Sequence, residues 1–195
     1  MMKRLLVLCL AMLMVLCLFG CDKSKPLNAD SVYYADIVIE NYGTITVKLD
    51  QSAAPISVEN FVNLARKGFY DGLTFHRIIE GFMMQGGAPK SNSAKVDTIK
   101  GEFTENGVEN PLKHTRGAIS MARANDMNSA SSQFFIVHET SPHLDGKYAC
   151  FGYVVKGIEI VDAICEGVPN SGSNGAVAAA DQPVIKTITI REEKE

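Results

Sequence analysis

The feature that most constrains the fold is a series of short strand-like runs separated by turns that contain glycine or asparagine. The strand patterns are 36–50, in two runs around Asn41-Tyr42-Gly43, then 73–87, 117–123, 132–138, 144–157 and 184–193. Two segments have helical spacing: one from Pro55, with Ser57 as a candidate cap, to Gly68, and one over 158–165. This order lacks the regular strand–helix alternation that builds a parallel sheet. It predicts a mainly β fold, a closed eight-stranded antiparallel β-barrel capped by two α-helices, because closure removes exposed strand edges.

The N-terminus is unlike the rest of the chain. Lys3 and Arg4 precede an unbroken apolar run over 5–19, a pattern typical of a secretory signal and short for a spanning helix. The run ends in Leu-Phe-Gly followed by Cys21, which resembles a bacterial lipobox. We therefore expect cleavage after residue 20 and attachment of lipid, such as palmitate, to Cys21, which would hold the protein on the extracytoplasmic face of the cell membrane. An uncleaved anchor helix is the alternative.

These patterns predict four segments. They are a signal peptide over 1–20, the lipidated cysteine and a polar tether over 21–31, a folded domain over 32–192 and a short tail over 193–195. Of the five cysteines, Cys150 and Cys165 fall in the domain. Two buried thiols or one disulfide are both compatible with their spacing.

Charge and motifs exclude several classes of function. The formal net charge is −3 and there is no long basic block, which argues against nucleic acid as a partner. The sequence contains no GxSxG, HExxH or P-loop motif, and its four histidines have no metal-ligand spacing. We therefore expect no cofactor, no metal and no covalent nucleophile.

A reaction that breaks no bond needs none of these groups, and rotation about an Xaa–Pro amide is such a reaction. Its barrier, roughly 18–20 kcal/mol, comes from the double-bond character of the C–N bond. A donor that binds the lone pair of the twisted proline nitrogen would lower this barrier. Arg77, in the apolar run FHRIIEGFMMQGG (75–87), is a permanent cation with a planar fork of donors and suits that role.

Four motifs together resemble the cyclophilins, which are peptidyl-prolyl cis–trans isomerases. They are FHRIIEGFMMQGG, GAISMAR, SQFFIVH and LDGKYACFGYVV, and the resemblance covers about residues 32–192. It implies an eight-stranded antiparallel barrel with two helices, and Arg77 as the catalytic donor. It also implies a substrate-binding set: His76, Phe82, Met83, Gln85, Ala122, Phe135, His143, Leu144 and Tyr148.

The chain departs from the better-known family pattern at several places. Glu80 stands where proline is usual, and His143 stands where a tryptophan is common. None of the departures removes the proposed donor. The resemblance implies proline-containing peptides and unfolded secreted proteins as partners, and we expect a monomer. A peptide-binding or chaperone module with little isomerase activity is one alternative, and a lipid-anchored solute-binding protein is another.

Overall fold

A computed structural model describes residues 26–90, 96–169 and 174–194. The predicted signal peptide and Cys21 lie outside the described residues. The strands are β1 (Ser31–Ile39), β2 (Gly43–Leu49), β3 (Phe75–Ile79), β4 (Met83–Gly86), β5 (Ala118–Met121), β6 (Phe134–Val137), β7 (Cys150–Lys156) and β8 (Ile185–Lys194). The α-helices are α1 (Pro55–Arg66) and α2 (Ile158–Gly167), and short 3-10 turns cover Thr104–Asn106 and Pro142–Leu144.

The eight strands form one antiparallel sheet in the order β3-β4-β6-β5-β7-β2-β1-β8. The sheet curls until its two outer strands meet at an isolated bridge between Thr74 and Val184. The mainly β fold with two helices is confirmed, but "closed" overstates it, since no strand ladder joins β3 to β8 and the sheet is a curled half-barrel. Pro183 gives a physical reason: its carbonyl accepts a bond from the Phe75 amide at 3.0 Å, but it has no N–H to return.

The core lies inside the curl. On β1 every second residue is buried, so that Tyr33, Ala35, Ile37 and Ile39 face inward, as period-two alternation requires.

Helix α1 covers one side of this core. Its buried face is a stripe with helical spacing, formed by Val58, Phe61, Val62 and Ala65. The Phe61 ring lies 5.3 Å from each of the rings of Tyr70, Phe134 and Phe151. This aromatic cluster supports β6 from behind, and β6 carries part of the site described below.

Helix α1 begins at Pro55, as predicted, but the prediction of Ser57 as its cap is wrong. Ser57 lies inside the helix, is fully buried, and donates from its hydroxyl to Glu102 Oε2 at 2.7 Å. The same carboxylate accepts from the backbone N–H groups of Ile56 (2.9 Å) and Ser57 (2.8 Å). Glu102, a buried residue distant in sequence, therefore caps the N-terminus of α1, because it accepts bonds from N–H groups that have no partner within the helix.

Part of the predicted tether packs as part of the domain. Leu27 contacts the hydrophobic core, and Ser31 begins β1. The Gln51 side-chain amide donates to the carbonyl oxygens of Asn28 (2.9 Å), Ala29 (3.1 Å) and Ser31 (2.9 Å). These bonds fix the backbone ahead of β1, so the chain is held to the domain from Leu27 onward.

Candidate active site

A β-bulge places Arg77 on the side of the sheet opposite to the core. In the β3–β4 ladder Phe75 pairs with Gly86, whereas Arg77 pairs with Gln85, so two steps on β3 match one step on β4. The extra residue is His76. Phe75 and Arg77 would share a face in a regular strand, but the bulge sends Phe75 into the core and re-aims Arg77.

Three groups hold the Arg77 guanidinium in place. Nε donates to the carbonyl oxygen of Asn174 at 2.8 Å, and Nη1 lies 3.4 Å from Gln85 Oε1 and 3.7 Å from the sulfur of Met83. Its carbon lies 6.0 Å from the centre of the Phe82 ring. Nη2 has no acceptor among the described residues, so one nitrogen of the fork keeps its donors available.

The guanidinium borders a pocket of about 230 Å³. Its lining residues are Arg77, Phe82, Met83, Gln85, Ala122, Arg123, Phe135, Leu144 and Tyr148. Most of the predicted substrate-binding set therefore meets in one place, although it comes from β3, β4, the end of β5, β6 and the 142–148 segment. Larger concavities exist, such as one of about 700 Å³ beside β1 and β2, but its arginine, Arg191, is already bonded to Asp36.

Phe135 and Leu144, each almost fully buried, provide the apolar surface of the pocket. The Phe135 ring stacks on the His114 ring at 6.0 Å and 17° and meets the Tyr148 ring edge-on at 5.8 Å. His114 Nδ1 lies 3.0 Å from Asp145 Oδ1, and its Nε2 lies 3.1 Å from the Ser120 hydroxyl. Neither His114 nor Ser120 is exposed, so this group supports the pocket from beneath and does not reach a ligand.

The pocket thus combines a restrained guanidinium with an apolar, aromatic floor, and its fold is the one that the four sequence motifs imply. A family model described as "Cyclophilin type peptidyl-prolyl cis-trans isomerase/CLD" matches residues 34–194. The chain belongs to this family.

Relatives of this cyclophilin are named as peptidyl-prolyl cis-trans isomerases. It is 46% identical to peptidyl-prolyl cis-trans isomerase B of Bacillus subtilis over 132 residues, 67% of this chain and 89% of the relative. It is 43% identical to a peptidyl-prolyl cis-trans isomerase of Helicobacter pylori over 131 residues, 65% of this chain and 78% of the relative. Other relatives are much longer: the chain spans 23% of peptidyl-prolyl cis-trans isomerase-like 2 of Gibberella zeae, at 39% identity over 69% of this chain.

Solved structures agree. The crystal structure of a cyclophilin type peptidyl-prolyl cis-trans isomerase from Cryptosporidium parvum superposes with a TM-score of 0.70 at 31% identity, over 82% of this chain and 98% of that one. A second structure of that protein, determined in the presence of the dipeptide Ala-Pro, superposes with a TM-score of 0.69 at 32% identity, over 81% of this chain and 98% of that one.

Two members of the predicted substrate-binding set do not line the pocket of this cyclophilin. His76 occupies the bulge beside Arg77, and its pKa is lowered by burial and by the charge of Arg77. His143 is exposed and lies 5.3 Å from the Phe82 ring, on the rim. The structure therefore places both next to pocket residues, whereas the other members of the set lie in its wall.

Sequence reasoning missed Arg123 and Asn174. Arg123 lines the pocket, with its guanidinium carbon 4.8 Å from the Tyr148 ring centre and 5.1 Å from that of Phe103. The carbonyl oxygen of Asn174 accepts a bond from Arg77 Nε, and that of Gly175 accepts one from the Ile78 amide. Arg123 directly follows the predicted Ala122 and could have been found as a charge flanking a site residue. The contacts of Asn174 and Gly175 could not have been found in this way, because every residue has a backbone carbonyl group and the sequence does not show which of them bind a site residue.

Both domain cysteines are free, buried thiols. Burial raises the pKa of the Cys150 thiol to about 11 and that of Cys165 to about 12. Since the thiolate is the reactive form, neither group is activated for chemistry at neutral pH. The structure thus has the two-thiol arrangement rather than a disulfide.

A side chain at Gly175 should destabilise the fold, because this residue packs directly on β3. A Cβ there would lie 2.3 Å from Ile79 Cγ1 and 2.5 Å from the Ile78 carbonyl oxygen, at a φ of 72°. Gly107 is a matched control, since its φ is 74° and a Cβ would meet nothing within 4 Å. We expect Gly175→Ala to lower the free energy of unfolding in urea by about 2 kcal/mol more than Gly107→Ala does, through overpacking. Equal losses in the two variants would contradict this packing.

Acid should weaken the fold first through His114 and His76, whose pKa values are both lowered in the folded chain. Burial lowers the pKa of His114, and the Asp145 carboxylate offsets this only in part. The unfolded chain therefore binds the proton at about pH 6.5 while the folded chain resists it, so the free energy of unfolding falls as the pH drops below that value. Urea unfolding at pH 7.5 and 5.5 should show the loss, and His114→Gln should reduce it, leaving the share of His76. A pH slope of zero or of opposite sign would refute this.

Proposed function

We propose that this cyclophilin accelerates the cis–trans isomerisation of Xaa–Pro bonds in secreted or envelope proteins as they fold, with Arg77 as the donor to the twisted amide. The observation that carries the proposal is the guanidinium of Arg77, restrained by Asn174 and Gln85 at the edge of an apolar pocket, with Nη2 free of acceptors among the described residues. A permanent cation with a free donor beside a hydrophobic floor suits a reaction in which a nitrogen gains a lone pair.

The physical argument concerns the transition state. Uncatalysed isomerisation takes tens to hundreds of seconds, because conjugation must be lost as the C–N bond twists. A donor held where the lone pair of the nitrogen appears binds the twisted amide more strongly than either planar isomer. Only such differential binding raises the rate of the step, by tenfold for each ~1.4 kcal/mol.

The pocket has the chemistry that a proline ring needs. Phe135, Leu144 and Met83 are almost fully buried, and together they offer an apolar surface beside the arginine. Gln85 is fixed by a bond from its side-chain amide to Gln133 Oε1 at 3.0 Å, while its carbonyl faces Arg77. The ring would rest on the apolar floor while the peptide backbone contacts Gln85 and Arg77. The dipeptide Ala-Pro, in whose presence a similar protein was crystallised, is the kind of ligand that this pocket would accept.

The test is isomerase activity of the purified chain, measured by NMR exchange on a panel of short Xaa–Pro peptides without a coupled protease. Enhanced exchange that depends on enzyme concentration is the expected result. Near-uncatalysed exchange on every peptide, together with measurable peptide binding, would contradict the proposed isomerase activity. It would favour the alternative, a peptide-binding or chaperone module.

The proposal includes a location. Lipid on Cys21 would attach the protein to the outer face of the cell membrane. Because the chain is fixed to the domain from Leu27 onward, six residue steps separate the lipid from the domain, which limits the separation to roughly 20 Å. Neither described helix is long and apolar enough to span a bilayer. Labelled palmitate should enter the unaltered protein, and Cys21→Ala should abolish that labelling. Labelling that persists in Cys21→Ala would reject this site.

A further inference from the structure

We infer that His138, which lies outside the pocket, is a positioning residue that fixes the Phe82 wall by accepting a hydrogen bond through its Nδ1 from the backbone N–H of Gly81. The inference rests on the proposed function only for its consequence in catalysis. The geometry itself concerns the turn at residues 80–82, which joins β3 to β4.

His138 follows β6 and holds this turn twice. Its backbone N–H donates to the carbonyl oxygen of Phe82 at 2.9 Å, and its Nδ1 accepts from the N–H of Gly81 at 3.0 Å. An accepting Nδ1 is unprotonated, so the neutral ring carries its proton on Nε2. The side chain is 6% exposed, which keeps water from replacing either bond.

The ring is itself oriented by charged groups from two other parts of the chain. Nε2 lies 3.3 Å from Asp162 Oδ1 and 4.0 Å from Glu166 Oε1, both on α2. Arg116, ahead of β5, donates to Asp162 Oδ2 at 2.7 Å and to the His138 carbonyl oxygen at 3.0 Å. A carboxylate beside Nε2 favours the tautomer that leaves Nδ1 free to accept. Arg116, Asp162 and His138 thus form a continuous connection from α2 to the turn.

Few other backbone hydrogen bonds hold the turn. Gly81 is exposed, has a φ of 72°, and has open space where a side chain would be. The remaining bond within it runs from the Phe82 N–H to the Ile79 carbonyl oxygen at 3.1 Å. Phe82 lines the pocket, and its ring lies 6.0 Å from the Arg77 guanidinium carbon. A shift of the turn would therefore move one wall of the pocket and a neighbour of the proposed donor together.

Two variants separate the Nδ1 bond from the rest of the side chain. Asparagine places its amide oxygen near the position of Nδ1, so His138→Asn keeps an acceptor for Gly81. Glutamine reaches toward the position of Nε2, so His138→Gln keeps a donor for Asp162 but offers Gly81 nothing. We expect His138→Gln to weaken binding of an Ala–Pro peptide and to raise KM, each on the order of tenfold, with a smaller change in kcat. His138→Asn should stay within about threefold of the unaltered protein.

Peptide affinity is measured by NMR titration of the full chain, alongside isomerase activity, so the inference can be tested even if the chain binds peptide without catalysing exchange. A loss of catalysis through partial unfolding would lower kcat in proportion to the folded fraction and leave the affinity of the folded protein unchanged. Equal affinity in all three proteins, or an equal loss in His138→Asn and His138→Gln, would overturn the inference.

A direct measurement on the unaltered chain needs no variant. Long-range 1H–15N correlation of His138 should show the tautomer protonated on Nε2, and the Gly81 amide proton should be shifted downfield and protected from exchange. A ring protonated on Nδ1 would overturn the inference whatever the variants show, because such a ring cannot accept from Gly81.

Discussion

Replacing Arg77 with alanine should lower kcat/KM on a short Xaa–Pro peptide by about 10²–10³-fold, equivalent to about 2.7–4 kcal/mol of transition-state stabilisation. This is the range lost when a preorganised donor is removed from a buried catalytic site. Arg77→Lys should fall between alanine and the unaltered protein, because lysine keeps the charge but cannot bond Asn174 and the substrate with one planar fork. NMR exchange on the same peptide measures all three.

Arg191→Ala is the matched control for this comparison. Arg191 is exposed, bonds Asp36 at 2.7 Å and lies 5.0 Å from the Tyr34 ring centre, on a surface that shares no residue with the pocket. Its loss should leave kcat/KM within about twofold, since exposed ion pairs contribute little. If far-UV dichroism shows Arg77→Ala to be folded and its kcat/KM stays within fivefold of the unaltered value, the assignment of Arg77 as the donor is wrong.

Glu102→Ala should lower the free energy of unfolding by about 3 kcal/mol. Its carboxylate accepts three bonds from Ile56 and Ser57 at the start of α1, and it is 2% exposed. Alanine would leave buried donors without partners and remove a negative charge from the N-terminus of the helix, where the helix dipole stabilises it. Urea unfolding at neutral pH gives the free energy directly.

Glu105→Ala serves as the comparison. Glu105 lies three residues further along the chain and is exposed, so its replacement should change the free energy of unfolding by less than about 0.5 kcal/mol. A loss below 1 kcal/mol for Glu102→Ala would mean that water, and not the carboxylate, satisfies the start of α1 in solution.

The strands and helices were predictable because their signals are local. Alternating apolar residues set the inner face of β1, Pro55 begins α1, and the turn at residues 41–43 needs a positive φ at Asn41, which is 65°. Most of the pocket was predictable as well, since its residues lie in a few short motifs. The resemblance of those motifs to a family, rather than any local rule, indicated which apolar residues face a ligand.

What the sequence did not reveal depends on pairs of residues that are distant along the chain. Ser57 and Glu102 are 45 positions apart, Arg77 and Asn174 are 97 apart, and Gly81 and His138 are 57 apart. Each pair meets because the curl of the sheet brings two segments together, and each pair includes a hydrogen bond with a backbone group at one end. The bulge at His76 could not be predicted for a related reason. It is defined by the register of β3 against β4, and the sequence of β3 alone does not show how it pairs with β4.

Residues 174–177 also cover the outer edge of β3. The Ile78 N–H donates to the Gly175 carbonyl oxygen at 2.7 Å, and the Val177 N–H donates to the His76 carbonyl oxygen at 3.0 Å. An uncovered edge strand is a template on which an extended chain can add as a further strand, and unfolded chains are the proposed clients of this protein. With those groups of β3 already bonded, an extended client finds little to pair with along this edge. If unfolded chains are its clients, this arrangement leaves the pocket as the place where they bind and prevents them from adding a strand to β3.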